Sequence, residues 1–387
     1  MTLTINRTAG RRAGAAARAA RFPILGHVDP ILTGATIAIA VIGAVMVFSA
    51  TRGPGEDQPL TTYFFTRQAM FVVLGIGIYA AASFFDYRHL RDWALPLAVG
   101  TAGLLFLVVF LGASSKGGQR SFAFAGFQLQ PSEFAKVVFV IGLASFLTYD
   151  REEVEMDNRR LGLCLGLTAL PIGLIMLQPD LGTALVFGVT ALAMLTVAGA
   201  KPKQMAVLFG AAALCIAAVL MSGILAEYQQ DRLTVFVDPS QDTQGAAYNQ
   251  NQSQKTIGSG GLAGQGLFEG RQTGLGFVPE QHTDFIFTVV GEELGFMGSA
   301  LLLVLFGLVL WRTWRTAHLA REPFGMLVCV GVMGIFMFQI FENAGMAMGI
   351  MPVTGIPLPL VSYGGSSVIA MFLALGIVHS VHMHRFS

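Results

Sequence analysis

Long apolar runs alternate with short polar connections along most of the chain. A hydrocarbon core of about 30 Å takes roughly 20 apolar residues per helix. Runs of that kind lie near 31–50, 66–85, 93–112, 132–149, 161–177, 181–199, 204–226, 284–311, 324–349 and 361–381. The pattern predicts an all-α polytopic membrane protein with about ten transmembrane helices. A basic tail, 1–30, precedes them, and 31–387 reads as a single transmembrane domain with a long connection, 227–283, between helices seven and eight.

Composition agrees, since 12% of residues are charged and 54% are hydrophobic. Lys and Arg resist translocation, so their distribution sets orientation. The tail, the alternate connections and the C-terminus hold 16 of the 24 basic residues, among them Arg7, Arg88, Arg160, Lys203, Arg312 and Arg385. Both termini are therefore expected in the cytoplasm, with 227–283 outside. The Arg/Ala-rich start lacks a small-residue cleavage site after a short apolar core and reads as an uncleaved topology signal. Cys164, Cys215 and Cys329 lie far apart inside spans, which suits packing and neither a disulfide framework nor a zinc site. A formal net charge of +1 points to no particular partner, and nucleic acid is not expected.

Placed on this topology, the polar residues within or beside the spans gather toward the outer side. Glu133 and Lys136 open span four, Asp180 sits in the turn between spans five and six, and Glu342 and Asn343 close span nine. Asp284 follows the long loop and stands at the mouth of span eight, where an ionised group is costly and therefore a functional candidate. The segment Pro352 to Ser367 contains too many Pro and Gly for regular helix, and such backbone at membrane depth must be buried in protein or line a wet cavity. Several of these groups carry a second reading. Glu133 and Lys136, three residues apart on one helix face, either neutralise each other or contact substrate. Asp180 either caps span six or touches a ligand. Glu292 and Glu293, about 12 Å below Asp284 by helix rise, are expected to be buried and partnered. The glycines of 257–270 either form a linker or let backbone approach a ligand. His282 has no second His or Cys nearby, which argues against zinc.

At its motifs the chain resembles the SEDS family (shape, elongation, division and sporulation) of bacterial membrane proteins. The matching parts are Gly118-Gln-Arg120, Gln130-Pro-Ser-Glu-Phe-Ala-Lys136, Gln178-Pro-Asp-Leu-Gly-Thr183, Gln252-Ser253 with Ile257 to Gly261, Pro279 to Asp284, and Pro352 to Ser367. Ser121 departs from the Trp common at that place. Pro352-Val-Thr-Gly-Ile-Pro-Leu-Pro is similar to the elongation branch, the RodA type, more than to the division branch, the FtsW type.

The resemblance implies an inverting glycosyltransferase that polymerises peptidoglycan from lipid II at the outer membrane face, serving cell elongation and rod shape. Asp284 matches the family's essential aspartate and is the expected general base. Arg120 and Lys136 lead the cations expected to meet the departing pyrophosphate, ahead of Arg232, Lys255 and Arg271, with Glu133 orienting Lys136. Asp180, Gln252, Ser253, Lys255, Glu280, His282, Thr283 and Ser362 complete the expected substrate contacts. No cofactor is indicated by ligand spacing, although a divalent cation such as Mg²⁺ or Mn²⁺ fits the chemistry. The implied partners are a class B penicillin-binding protein acting as transpeptidase and other elongation-complex proteins. A lipid II flippase and a non-catalytic scaffold for the transpeptidase are the competing readings.

Overall fold

The computed structural model describes residues 27–52, 62–115, 118–124, 127–149, 156–221 and 246–385. Most of the basic tail, including its five arginines, together with Lys116, Arg151 and Arg232, falls outside the described residues. Nine of the ten expected spans each coincide with a helix, and the eighth is divided between two. These are α1 (Pro30–Ala50), α2 (Tyr63–Phe84), α3 (Ala94–Leu111), α4 (Pro131–Thr148), α5 (Asn158–Met176), α6 (Leu181–Val197), α7 (Pro202–Met221), then α8 (Ala246–Ser259) and α9 (Arg271–Leu275) in the long loop. After them come α10 (Ile286–Glu293), α11 (Gly295–Leu319), α12 (Pro323–Met348) and α13 (Gly365–Met383). Among the described residues, eight helices are long and apolar enough to cross a membrane, and α6 is apolar but shorter. The chain is an all-α, multi-pass membrane protein. Its small exception is an antiparallel sheet between α3 and α4, β1 (Ala113–Ser115), β2 (Gly118–Phe124) and β3 (Phe127–Leu129), in the order β1-β2-β3.

Burial sorts the helices. α13 is almost wholly enclosed and packs along α2, while α12 lies between α4, α6 and α11. α3 and α5 leave most of their side chains uncovered, as lipid-facing helices do. Cys164 and Cys329 are buried packing residues, as expected.

At the end assigned to the cytoplasm, Asp29 accepts hydrogen bonds from the Ile31 and Leu32 backbone N–H groups and so caps α1. Its Oδ2 also receives Arg312 Nε at 2.7 Å and Nη2 at 2.6 Å, and its own N–H reaches His379 Nε2 at 2.9 Å. One buried residue thus ties α1, α11 and α13 together, the first two through its carboxylate and the third through its backbone N–H.

Span eight departs from the sequence expectation. The sequence reads as one span through 284–311, yet the chain breaks at Leu294 and Gly295, just after Glu292 and Glu293, into two helices. Gly295 has a φ of +64°, and a Cβ there would run into the backbone nitrogen of Gly264. The loop lies directly on this break: Phe296 N donates to Gly261 O, Met297 N to Leu262 O, and Gln265 N to Glu292 O, at 2.9, 3.1 and 2.9 Å. The long helix begins at Gly295, so Asp284 does not stand at the mouth of the span, because α10 comes between. The loop glycines serve close approach to the chain's own backbone.

The segment 349–364 is irregular, as its composition predicted, and it is packed inside the bundle. A Cβ on Gly43 of α1 would lie 2.6 Å from Val361 Cα. Gly43→Ala is expected to push this segment outward and to cost about 1–3 kcal/mol of strain, read as a lower thermal midpoint of the detergent-solubilised protein. Gly34→Ala on the same helix, where the added methyl meets nothing within 4 Å, should leave the midpoint unchanged.

Candidate active site

The segment 349–364 is a hub at which the ends of several helices meet. α12 ends beside it with Glu342 and Asn343, both fully buried. Asn343 Nδ2 donates to two carbonyls, Asp284 O at 2.7 Å and Ile356 O at 2.8 Å. Glu342 Oε1 accepts from Thr354 Oγ1 at 2.8 Å. Ser362 Oγ accepts from Leu358 N at 2.8 Å, and Gln68 Nε2 of α2 donates to Ser362 O at 3.2 Å. Ser366, at the start of α13, accepts from Gln130 N and donates to Gln128 O, each at 3.0 Å, and so holds the entry to α4.

Asp284 closes a compact turn. The carbonyl of Glu280 accepts from Thr283 N, Asp284 N and Phe285 N, and Glu280 itself has a left-handed φ of 53°. Thr283 Oγ1 also bonds Glu280 Oε2 at 3.2 Å. The turn is fastened to the hub by Tyr363 N donating to His282 O at 2.9 Å. Asp284 is half-buried there.

Asp180 acts as the N-cap of α6, with Oδ1 accepting from Thr183 N at 3.1 Å and Oδ2 from Thr183 Oγ1 at 3.0 Å. Arg120, from β2, donates to the carbonyls of Gln178 and Pro179 in the turn just before it. The α6 start in turn abuts the hub: a Cβ on Gly182 would lie 2.7 Å from Ile356 Cγ1. Lys136 Nζ bonds both carboxylate oxygens of Glu133, at 2.8 and 2.9 Å, with both side chains 2% exposed. Helix register places this pair. Gly331 of α12 abuts Val140 of α4, and about 12 Å further outward Gln339 comes level with Ser132, beside the pair.

The long-loop residues divide by helix face. In α8, Ser253 is fully buried and its Oγ donates to Ala347 O at 2.7 Å, while Gln250 and Gln254 reach the carbonyls of Met351 and Met348. α8 therefore supplies donors to the C-terminal carbonyls of α12. Gln252 and Lys255 lie on its more open faces, and Arg271 is exposed.

Glu292 and Glu293 are buried and partnered, as expected. Glu292 accepts from Gln272 N, Thr273 N and Thr273 Oγ1 at 2.7, 2.9 and 2.6 Å, and Glu293 from Ser49 Oγ and Phe268 N. They anchor the loop above the long helix. Among the described residues no three His, Cys, Asp or Glu side chains gather as metal ligands.

Sequence reasoning missed Asn343 as the residue that grips Asp284 and Arg67 as a cation beside the hub. A polar pair at a helix end was visible, but which backbone it would meet was not. Glu133→Ala, which strands Lys136 as a buried unpaired charge, is expected to destabilise the fold by about 3–5 kcal/mol. Replacing both by Leu and Met should be nearly neutral in a thermal melt. A large loss in the double variant would show that the pair does more than neutralise itself.

The FTSW_RODA_SPOVE family, described as cell cycle protein, matches residues 31–387. The peptidoglycan glycosyltransferase MrdB of Escherichia coli K12 is 37% identical over 362 residues, 93% of this chain and 94% of its own. Stage V sporulation protein E of Bacillus subtilis is 37% identical over 360 residues, 91% and 96% of the two chains. A probable peptidoglycan glycosyltransferase FtsW of Geobacter metallireducens is 34% identical over 356 residues, 91% and 94%. Among solved structures, a chain of a peptidoglycan synthase complex that coordinates polymerization and crosslinking superposes with TM-score 0.79 at 32% identity, covering 93% of this chain and 99% of that one. The rod shape determining protein RodA of Thermus thermophilus gives 0.69 at 32% identity, covering 93% and 98%. With sequence relatives and solved folds matching along nine-tenths of its length, this chain belongs to the FtsW, RodA and SpoVE family of cell cycle proteins.

Proposed function

We propose that this protein is a peptidoglycan glycosyltransferase that polymerises lipid II at the outer face of the bacterial cytoplasmic membrane, in the service of cell elongation. The observation that carries the proposal is the half-buried Asp284, held by its backbone in a strained turn against the hub, outside the long helix that begins at Gly295. A hydroxyl of the acceptor sugar attacks the anomeric carbon of the donor, its proton passes to the Asp284 carboxylate, and undecaprenyl pyrophosphate departs with inversion. Lys136, oriented by Glu133, and Arg120 are the proposed partners of the leaving group's charge. Any divalent cation is proposed to enter with the pyrophosphate, since the described residues offer no donor set of their own. Crosslinking of the product falls to a class B penicillin-binding protein, with the elongation machinery around both.

A flippase is disfavoured by the same arrangement. A carrier keeps its ionisable groups near the midplane, whereas Glu292 and Glu293 are taken up by the loop beyond the end of α11. A silent scaffold has no use for a strained turn that presents a carboxylate.

Purified protein with its transpeptidase partner, given labelled lipid II, is expected to yield glycan ladders that vanish with Asp284→Ala. Equal ladders from both would remove Asp284 as base, and precursor flipping without polymer in either would favour transport. Asn343 acts through Asp284 as a positioning residue. Asn343→Asp sets carboxylate oxygens against the two carbonyls it now holds, and kcat should fall about 100-fold with KM nearly unchanged. A proportional rise in KM would mean that the change merely loosens the substrate site.

A further inference from the structure

One cluster beside Asp284 takes no part in the chemistry above. On α2, Tyr63, Phe64, Arg67 and Gln68 share one helix face. The inner two are accounted for by the fold: Gln68 holds the Ser362 carbonyl, and Phe64 packs between His282 and Tyr363 with ring centroids 5.0 and 5.1 Å away. The outer two face a rim. Tyr63 is 52% exposed, and the Arg67 guanidinium lies 4.4 Å from the centre of its ring. The Arg67 guanidinium also lies beside the Tyr363 hydroxyl, and Tyr363 lies 5.7 Å from the ring of His282. His282 belongs to the same turn as Asp284, whose position is set by the Glu280 carbonyl.

Two tyrosine rings with a guanidinium between them suit one class of ligand. A pyranose ring has an apolar C–H face that lies on an aromatic ring, and a rim of hydroxyl and acetamido groups that take hydrogen bonds from a guanidinium and a phenol. A phosphate would be served by Arg67 alone and would gain nothing from Tyr63. A tyrosine anchoring the helix at the membrane interface would account for Tyr63 but not for the guanidinium stacked on it.

We propose that Tyr63, Arg67 and Tyr363 form a saccharide platform that seats the sugar ring whose hydroxyl Asp284 deprotonates. Its assignment to the acceptor sugar rests on the polymerase proposal, because the base must stand next to the attacking hydroxyl. The platform itself is a binding site for a glycan and is testable without turnover.

Saturation-transfer NMR on the full-length protein in lipid nanodiscs, with a soluble β-1,4-linked N-acetylglucosamine tetramer as probe, reads contact with aromatic protons directly. Transfer to the sugar-ring protons is expected for the unchanged protein, lost in Tyr63→Ala and kept in Tyr63→Trp. In the ladder assay, Tyr63→Ala should raise KM about three- to tenfold and change kcat by no more than about twofold. Absence of transfer in the unchanged protein, or equal transfer in Tyr63→Ala, overturns the proposal. So does a loss seen with Arg67→Gln but not with Tyr63→Ala, which would mark an anion site. Sugar contact without any ladder would leave the platform standing and bring down the polymerase proposal.

Discussion

Irregular backbone inside a bundle surrounded by lipid must find a partner for every N–H and C=O, because hydrocarbon offers none. The segment 349–364 is under that constraint, and much of the outer half of the protein is organised around meeting it. Asn343, Ser362 and Gln68 supply side-chain partners, α8 caps the end of α12, and Gly43 lets the segment lie against α1 without a side chain in the way. In exchange, the segment presents its edges to the start of α6, the entry of α13 and the turn carrying Asp284.

The same economy explains the buried charges. Asp29 with Arg312, and Glu292 and Glu293 with loop donors, are satisfied by bonds that join separate elements, while Glu133 and Lys136 neutralise each other within α4. A carboxylate left alone in such surroundings would be expensive, so each marks a place where the chain is tied. Asp284 differs by being half-buried and by having its backbone carbonyl gripped by Asn343.

The break at Gly295 changes how the protein is to be understood. The long helix starts at Gly295, and Glu292 and Glu293, just before it, fasten the loop that lies on the break.

The helices were legible in the sequence because the lipid core imposes a length and composition on anything that crosses it, and the ends of nine expected spans match helices within a few residues. The Glu133–Lys136 pair was legible from spacing, and Asp180 as a cap was one of two readings its turn allowed. A single expected span ran across Gly295 although Glu292 and Glu293 stand just before the break, and nothing in the local sequence showed that the distant backbone of Gly264 would pack there. Hydropathy was blind to the difference between Ser253, turned into α12, and its neighbour Gln252, because both occur in one polar run and only the docked helix assigns their faces. Asp284 was marked by its own chemistry and motif, but what holds it, Asn343, lies in another helix. Local pattern records the cost of a residue in its surroundings, and contacts between distant segments decide how that cost is met.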